Sequence, residues 1–307
     1  MRLGIDIGGT KTAAIALDEA DALSEMLRIP TAIGAEGVLE TAYATAERMR
    51  ELAGAPAGGF SSIGIGIPGA VDTSTGRVAH AVNLGVEGLD LGPRLSDRLG
   101  VEVRVENDVK AAALGAQHLL AASGEAPRSM AYVNLGTGLA AGIVQDGVLL
   151  RGASGVAGEV GHVPVDPDGV RCACGQRGCL ETLASGSAIA RMWPSRHPLP
   201  ALELFDAADA GDPRAVEVRD RFLSGVAATV RTLVLTADVE QLVIGGGLAA
   251  LGGRLEAGVH RILGEWSAES AFLDSLDLAR RVRVIPLGFP AAAVGAALVG
   301  EQLWPKS

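Results

Sequence analysis

All three cysteines of this 307-residue chain fall within eight positions, at Cys172, Cys174 and Cys179, and His162 lies ten residues before the first. Together they form the Cys3His donor set that tetrahedral zinc accepts, and Gly175 and Gly178 permit the tight turns of a metal knuckle. A disulfide is disfavoured, because a Cys-x-Cys pair closes a strained ring and leaves the third thiol over. Structural zinc on His162, Cys172, Cys174 and Cys179 is therefore expected. Glu159 and Glu181 bracket the knuckle, so a fixed metal would also fix two carboxylates and an imidazole. A histidine that binds metal through one ring nitrogen keeps the other for a hydrogen bond, which makes His162 a bridge from zinc to a polar ligand.

Other residues carry phosphate and proton chemistry. Gly8, Gly9, Thr10 and Lys11 form one glycine turn, and Gly136, Thr137 and Gly138 form another. Glycine turns let backbone N–H groups close on an anion, so a phosphate can be held without a large basic patch. Neither turn is a Walker loop, since no Gly-x-x-x-x-Gly-Lys followed by Ser or Thr is present. Asp6 precedes the first turn and is placed to organise Mg²⁺ through its waters, because Mg²⁺ dehydrates reluctantly. Gly245, Gly246 and Gly247 follow an apolar strand and suit close packing on an adenine ring or ribose. A Rossmann reading of that triplet is disfavoured, because no strand ending in an acidic residue follows at the expected distance. Glu106-Asn107-Asp108 ends one strand and opens a helix. Asp108 reads either as the helix N-cap or as a carboxylate that takes the proton from an attacking hydroxyl, since the C-terminal ends of strands carry ligand chemistry in α/β proteins.

These residues need an α/β frame, and the pattern supplies one. Short apolar strands are expected at 3–7, 12–17, 63–67, 101–105, 130–135, 139–144, 240–244 and 282–286. Helices are expected at 37–53, 108–122, 181–192, 213–236, 248–263 and 291–303. Trp193-Pro194 and His197-Pro198-Leu199-Pro200 read as a loop. An internal echo sets the domain count. Ile5-Asp6-Ile7-Gly8-Gly9-Thr10 with its following strand is matched by Val133-Asn134-Leu135-Gly136-Thr137-Gly138 and its own. Two such hairpins predict two related domains, each offering a tight turn.

Composition narrows the class further. With 26 Lys plus Arg against 36 Asp plus Glu, the net charge of −10 argues against general affinity for nucleic acid or an anionic membrane. No apolar run reaches membrane-spanning length, because Asn134, Gln145 and Asp146 interrupt the best candidate. The acidic residue at position 6 and the immediate strand pattern do not read as a signal peptide. Reduced, metal-binding thiols suit the cytoplasm.

Taken in order, Asp6-Ile7-Gly8-Gly9-Thr10-Lys11, Gly66-Ile67-Pro68-Gly69-Ala70-Val71-Asp72, Glu106-Asn107-Asp108, Leu135-Gly136-Thr137-Gly138, Gly158-Glu159-Val160-Gly161-His162, the cysteine knuckle with Glu181, and Gly245-Gly246-Gly247 resemble the ROK family of repressors, open reading frames and kinases. The resemblance runs from residue 3 to about residue 300. It implies an actin-like, ribonuclease-H-like ATPase fold with two lobes around a central nucleotide and sugar cleft. The lobes would be 1–115 plus 291–307 and 116–290, the last helix returning to the first lobe. It implies Asp108 as general base, and Asn107, Glu159, His162 and Glu181 as ligands of sugar hydroxyls with Gly69 and Asn83 beside them. ATP, Mg²⁺ and structural zinc are the implied cofactors, and a homodimer or homotetramer the implied assembly. The expected activity is phosphorylation of the C6 hydroxyl of an aldohexose, glucose first, with N-acetylmannosamine or N-acetylglucosamine as the alternative acceptor. After Asn83 the chain reads Leu84-Gly85-Val86, where sugar kinases of the family often carry a Trp, which weakens assignment of one hexose. The family also contains sugar-sensing repressors. Those carry an additional N-terminal helix-turn-helix domain, for which a chain starting within five residues of its first strand is expected to have no room.

Overall fold

The computed structural model describes residues 1–55 and 59–300, which divide into two compact units. Unit 1 comprises Met1–Ala126, Arg151–Gly155 and the chain from Pro290 onward; unit 2 comprises Pro127–Leu150 and Val156–Phe289. The division expected between residues 115 and 116 falls inside a helix, whereas the chain passes from one unit to the other at Ala126/Pro127.

Unit 1 opens with β1 (Arg2–Ile7) and β2 (Lys11–Leu17), an antiparallel hairpin with Ile7 opposite Thr12. β3 (Leu27–Pro30) pairs beyond β2. Helix α1 (Ala35–Leu52) buries Val38, Leu39, Ala42, Ala46 and Met49, the stripe that a 3.6-residue period predicts. β4 (Ser62–Ile67) pairs parallel to β1, and its six residues are all buried, as expected of a strand covered on both faces. β5 (Ala70–Asp72) and β6 (Arg77–His80) make a small separate ribbon. Helix α2 (Leu91–Leu99) stops at Gly100, whose left-handed backbone ends it. β7 (Val103–Asn107) completes the sheet, and α3 (Asp108–Ala122) starts at the next residue. The sheet order is β3-β2-β1-β4-β7.

Unit 2 repeats this plan. β8 (Ser129–Leu135) and β9 (Leu139–Gln145) form the hairpin, and β10 (Val148–Leu149) extends it. Helices α4 (Gly186–Met192), α5 (Pro200–Asp209) and α6 (Pro213–Ala237) precede β11 (Gln241–Gly245). Then come α7 (Gly253–Glu269), α8 (Ala271–Ser275) and β12 (Val282–Val284). The order β10-β9-β8-β11-β12 matches that of unit 1 strand for strand, so the echo between the two hairpins extends to whole sheets. Asp212 caps α6 by accepting the Ala215 N–H at 2.9 Å, and Pro213 takes the first helical position, where its missing N–H costs nothing. Phe222 of α6 meets Phe205 of α5 edge to face, 6.4 Å between centroids, within the core of the unit.

The chain then re-enters unit 1 as α9 (Ala291–Val299), an almost wholly buried helix of small residues. It lies so close to β4 and α3 that a Cβ on Gly64 would overlap the Ala296 carbonyl, and one on Gly295 would overlap that of Ala111. Residues 301–303 of the helix expected at 291–303 lie outside the described residues. Three other expectations shift. The strand placed at 101–105 runs over Val103–Asn107, because the Ser96 hydroxyl accepts the Val103 N–H and sets its start. The helix placed at 181–192 is a short 3-10 turn, Leu180–Thr182, followed by α4, which starts afresh where Ser185 caps the Ala188 N–H. The helix placed at 248–263 breaks at Gly252-Gly253 into the 3-10 segment Gly247–Leu251 and α7. Among the described residues no helix is long and apolar enough to cross a membrane.

Candidate active site

In unit 1 the junction of β7 and α3 shows which residue caps the helix. The helix cap is Asn107: its backbone is extended, and its Oδ1 accepts the N–H groups of Val109 at 3.0 Å and Lys110 at 3.2 Å. Asp108 is the first helical residue, with Oδ1 accepting the Val109 N–H at 2.9 Å. The Asn107 amide donates to the Gly69 carbonyl at 3.3 Å, so two residues expected near the sugar are tied together. Gly69 adopts φ +103°, a conformation that disfavours any side chain.

Glu106 and Lys110 flank this junction and are both buried. One Glu106 oxygen accepts the Asn107 N–H at 2.9 Å, and the other takes two nitrogens of Arg151, each at 2.8 Å. The Lys110 ammonium donates to the Gly155 carbonyl at 2.6 Å. The segment Arg151–Gly155 is thus held to unit 1 by a buried ion pair and a charge-assisted hydrogen bond. Sequence reasoning missed Arg151 and Lys110 as partners of the site. A cation 45 residues from its carboxylate leaves no local signal.

The turn between β1 and β2 closes by a hydrogen bond from Gly8 N–H to the Lys11 carbonyl at 3.0 Å, with Thr10 and Lys11 exposed. A Cβ on Gly9 would meet nothing nearer than Asn83, at 3.5 Å. The protein itself therefore leaves room there, which agrees with space reserved for a ligand, and Asn83 stands beside that turn.

Asp6 lies on β1, and its carboxyl is pushed up to about 7, first by burial and second by the negative charge of Asp108. The free acid is thus favoured in the folded state. Folding takes up a proton between the unfolded value of 3.8 and about 7, so stability is expected to fall as pH rises through that window. The loss is on the order of 3–4 kcal/mol, at about 1.4 kcal/mol per unit of pKa shift. Melting temperatures between pH 4 and 8, measured without divalent ions, should show this slope in the wild type and a flatter one in Asp6→Asn. Identical slopes would contradict it.

In unit 2 the segment Gly158-Glu159-Val160-Gly161-His162 runs along β9. The Ala141 N–H donates to the Gly158 carbonyl at 2.7 Å, and a Cβ on Gly158 or Gly161 would overlap the carbonyl of Ala141 or Leu139. Two glycines thus permit the close approach that sets Glu159, which is exposed, and His162, which is half-buried.

The ligand atoms of His162, Cys172, Cys174 and Cys179 all lie within 4.8 Å of one another. His162 Nδ1 is 3.7 Å from Cys172 Sγ, and Cys174 Sγ is 3.7 Å from Cys179 Sγ. Zn–S bonds of about 2.3 Å in a tetrahedron give S···S edges of roughly 3.8 Å and S···N edges of roughly 3.5 Å, so the donor set fits zinc in kind and spacing. Because Nδ1 faces the sulfurs, Nε2 is the nitrogen that remains for a polar ligand. Gln176, which sequence reasoning passed over, donates its side-chain amide to the His162 carbonyl at 3.1 Å and to Cys174 Sγ at 3.5 Å. Hydrogen bonds from Gln176, the backbone N–H first, pull the exposed Cys174 thiol down to about 6, whereas burial pushes Cys179 up to about 12. A divalent cation would remove that opposition, since it favours the thiolate at every ligand.

Glu181 follows Cys179 by two residues, and its Oε2 accepts the Leu139 N–H at 2.9 Å, next to the Gly136-Thr137-Gly138 turn. The glycine triplet after β11 is less uniform than expected. A Cβ on Gly245 would strike the Tyr132 ring and one on Gly246 would strike Leu135, whereas Gly247 has open space. Packing within unit 2 therefore requires glycine at the first two positions, whereas nothing within the protein requires it at Gly247.

The ROK family model matches residues 2–301 of this chain. A glucokinase of Halalkalibacterium halodurans is 31% identical over 98% of this chain and 94% of its own length. An N-acetylmannosamine kinase of Citrobacter koseri is 34% identical over 82% of this chain and 85% of its own. The crystal structure of a ROK family glucokinase from Streptomyces griseus in complex with glucose and AMPPNP superposes with a TM-score of 0.78 at 30% identity, covering 97% of this chain and 98% of that one.

Proposed function

The chain belongs to the ROK family, and from that premise we propose that it transfers the γ-phosphoryl group of ATP to the C6 hydroxyl of an aldohexose, glucose first. The fold is the actin-like ATPase fold of ROK sugar kinases, and the protein is an ATP-dependent sugar kinase. The observation that carries the mechanism is the β7–α3 junction. Asn107 does the capping there, so the carboxylate of Asp108 is not required to start the helix.

Asp108 accepts the proton of the C6 hydroxyl as its oxygen forms the bond to the γ-phosphorus; the bond from that phosphorus to the β,γ-bridging oxygen breaks, and ADP leaves. Glu159, His162, Glu181 and the second amide hydrogen of Asn107 hold the remaining hydroxyls and aim the nucleophile, with Gly69 and Asn83 beside them. Phosphoryl transfer depends chiefly on such positioning and on charge stabilisation. The turns at Gly8-Gly9-Thr10-Lys11 and Gly136-Thr137-Gly138 hold phosphates by their N–H groups, and the Gly245-Gly246-Gly247 backbone lies against the nucleoside. Asp6 would organise Mg²⁺ through its waters, and the ion would neutralise phosphate charge. His162, Cys172, Cys174 and Cys179 would hold zinc, which would lend rigidity to Glu181 and His162. Cytoplasmic location and a homodimer or homotetramer complete the proposal.

An N-acetylhexosamine is the second reading, favoured by the N-acetylmannosamine kinase similarity. ADP release measured with glucose, mannose, N-acetylmannosamine and N-acetylglucosamine separates the two. The expected result is the highest kcat/KM with glucose. A higher value with either N-acetyl sugar would replace the first reading by the second.

A further inference from the structure

The segment 179–187 does more than follow the zinc knuckle. Four hydrogen bonds tie it to the Gly136-Thr137-Gly138 turn and the residue after it. The Leu139 N–H, just after the turn, donates to Glu181 Oε2 at 2.9 Å. The Gly136 carbonyl accepts the Gly186 N–H at 2.8 Å, and the Thr137 carbonyl accepts the Ser187 N–H at 3.2 Å and the Ser187 hydroxyl at 2.8 Å. A Cβ on Gly138 would come within 2.5 Å of the Glu181 carboxylate. At the other end, Cys179 belongs to the candidate metal cluster, and the Thr182 hydroxyl donates to its carbonyl at 2.7 Å. Arg191 of α4 donates to the Thr182 carbonyl, fixing the same stretch from behind.

From this we infer that Glu181 is a positioning residue for the nucleotide phosphates as well as a sugar ligand, so that one carboxylate serves both substrates. The inference rests on the reading above in one respect, that the turn at 136–138 binds phosphate. Glu181 occupies the Leu139 N–H and thereby fixes the end of the turn; the Gly136 N–H closes the turn on the Gly138 carbonyl at 3.1 Å, which leaves the Thr137 and Gly138 N–H groups for the anion. Its own negative charge does not help a phosphate, since like charges disfavour each other. The contribution is therefore geometric, and it predicts an order that charge alone would not.

Glu181→Gln keeps an acceptor oxygen and removes the charge; Glu181→Ala removes both. In titrations with AMPPNP and with ADP, without sugar and with zinc-loaded protein, Glu181→Ala is expected to bind roughly 5- to 20-fold more weakly than wild type, the loss of one hydrogen bond to a charged acceptor. Glu181→Gln should bind as well as wild type or better. Glu217→Gln, an exposed control carboxylate on α6, should leave nucleotide affinity unchanged. If Glu181→Ala does not fold, Gly138→Ala displaces the same carboxylate and should show the same weakening. Zinc content and melting temperature, recorded on each variant, separate this effect from collapse of the knuckle. Unchanged nucleotide affinity in folded Glu181→Ala overturns the inference, and so does equal weakening in Gln and Ala. Gly136→Val tests the premise separately: unchanged affinity there means that the turn does not hold phosphate, which removes the inference without touching the role of Asp108.

Discussion

Replacing Asp108 by asparagine is expected to lower turnover by roughly 10²- to 10⁴-fold, the range of general-base catalysis, with little change in stability or sugar affinity. Asparagine retains an oxygen for the Val109 N–H, and Asn107 still caps α3 through Val109 and Lys110. Only basicity is removed. Loss of the Asp108 charge also relieves Asp6, which should ionise at lower pH, although burial, the larger cause of its shift, remains. The contrasting variant is Asn107→Ala, which removes the cap and should cost about 1 kcal/mol of stability. Melting temperature, sugar binding by calorimetry and turnover, measured on both variants, distinguish the base from the cap. An Asp108→Asn enzyme with about half of normal turnover would be incompatible with proton abstraction by this residue, and Glu159 would be the next carboxylate to test.

The second large effect is expected at the knuckle. Purified protein should contain about one zinc per chain, and Cys179→Ser should lose most of it. Cys179 is buried and carries the segment that ends at Glu181, so its loss should release that carboxylate. Structural zinc contributes on the order of 10 kcal/mol to the folding of small zinc domains, and part of that is expected here because the knuckle is anchored to β9. Sugar binding and melting temperature should fall together, and a chelator should reproduce both. Cys174 is the exposed thiol of the set and the natural point of entry for the chelator. Hydrogen exchange over residues 163–182, with and without chelator, gives the local reading. Active protein without zinc, or sugar affinity that survives complete removal of the metal, would rule the coupling out.

Much of the site was legible because its chemistry depends on residue type and short spacing. Four residues with the donor chemistry of a zinc site, within 18 positions, need only a Gly-rich loop to meet, and the structure brings them together. The paired hairpins were legible for a similar reason: alternating apolar strands around a glycine turn are local, and the structure extends them into two sheets of one order. The partner of Glu106 was not legible, because Arg151 lies 45 residues away and becomes a neighbour only when its segment packs in unit 1. Helices α2 and α5 were also missed; α5 starts at Pro200, inside a run whose prolines read as loop, although proline is well suited to a first helical turn.

The sequence by itself determined the donor set for zinc, the carboxylate at a strand end, the two glycine turns and the α/β class, since each follows from residue identity and local period. Only the tertiary structure decided which of two adjacent residues caps α3, which glycines of the triplet after β11 pack against Tyr132 and Leu135, and that Glu181 reaches the Leu139 N–H. Those outcomes depend on contacts between residues distant in the chain or on backbone geometry at a junction, and close packing fixes them one atom at a time.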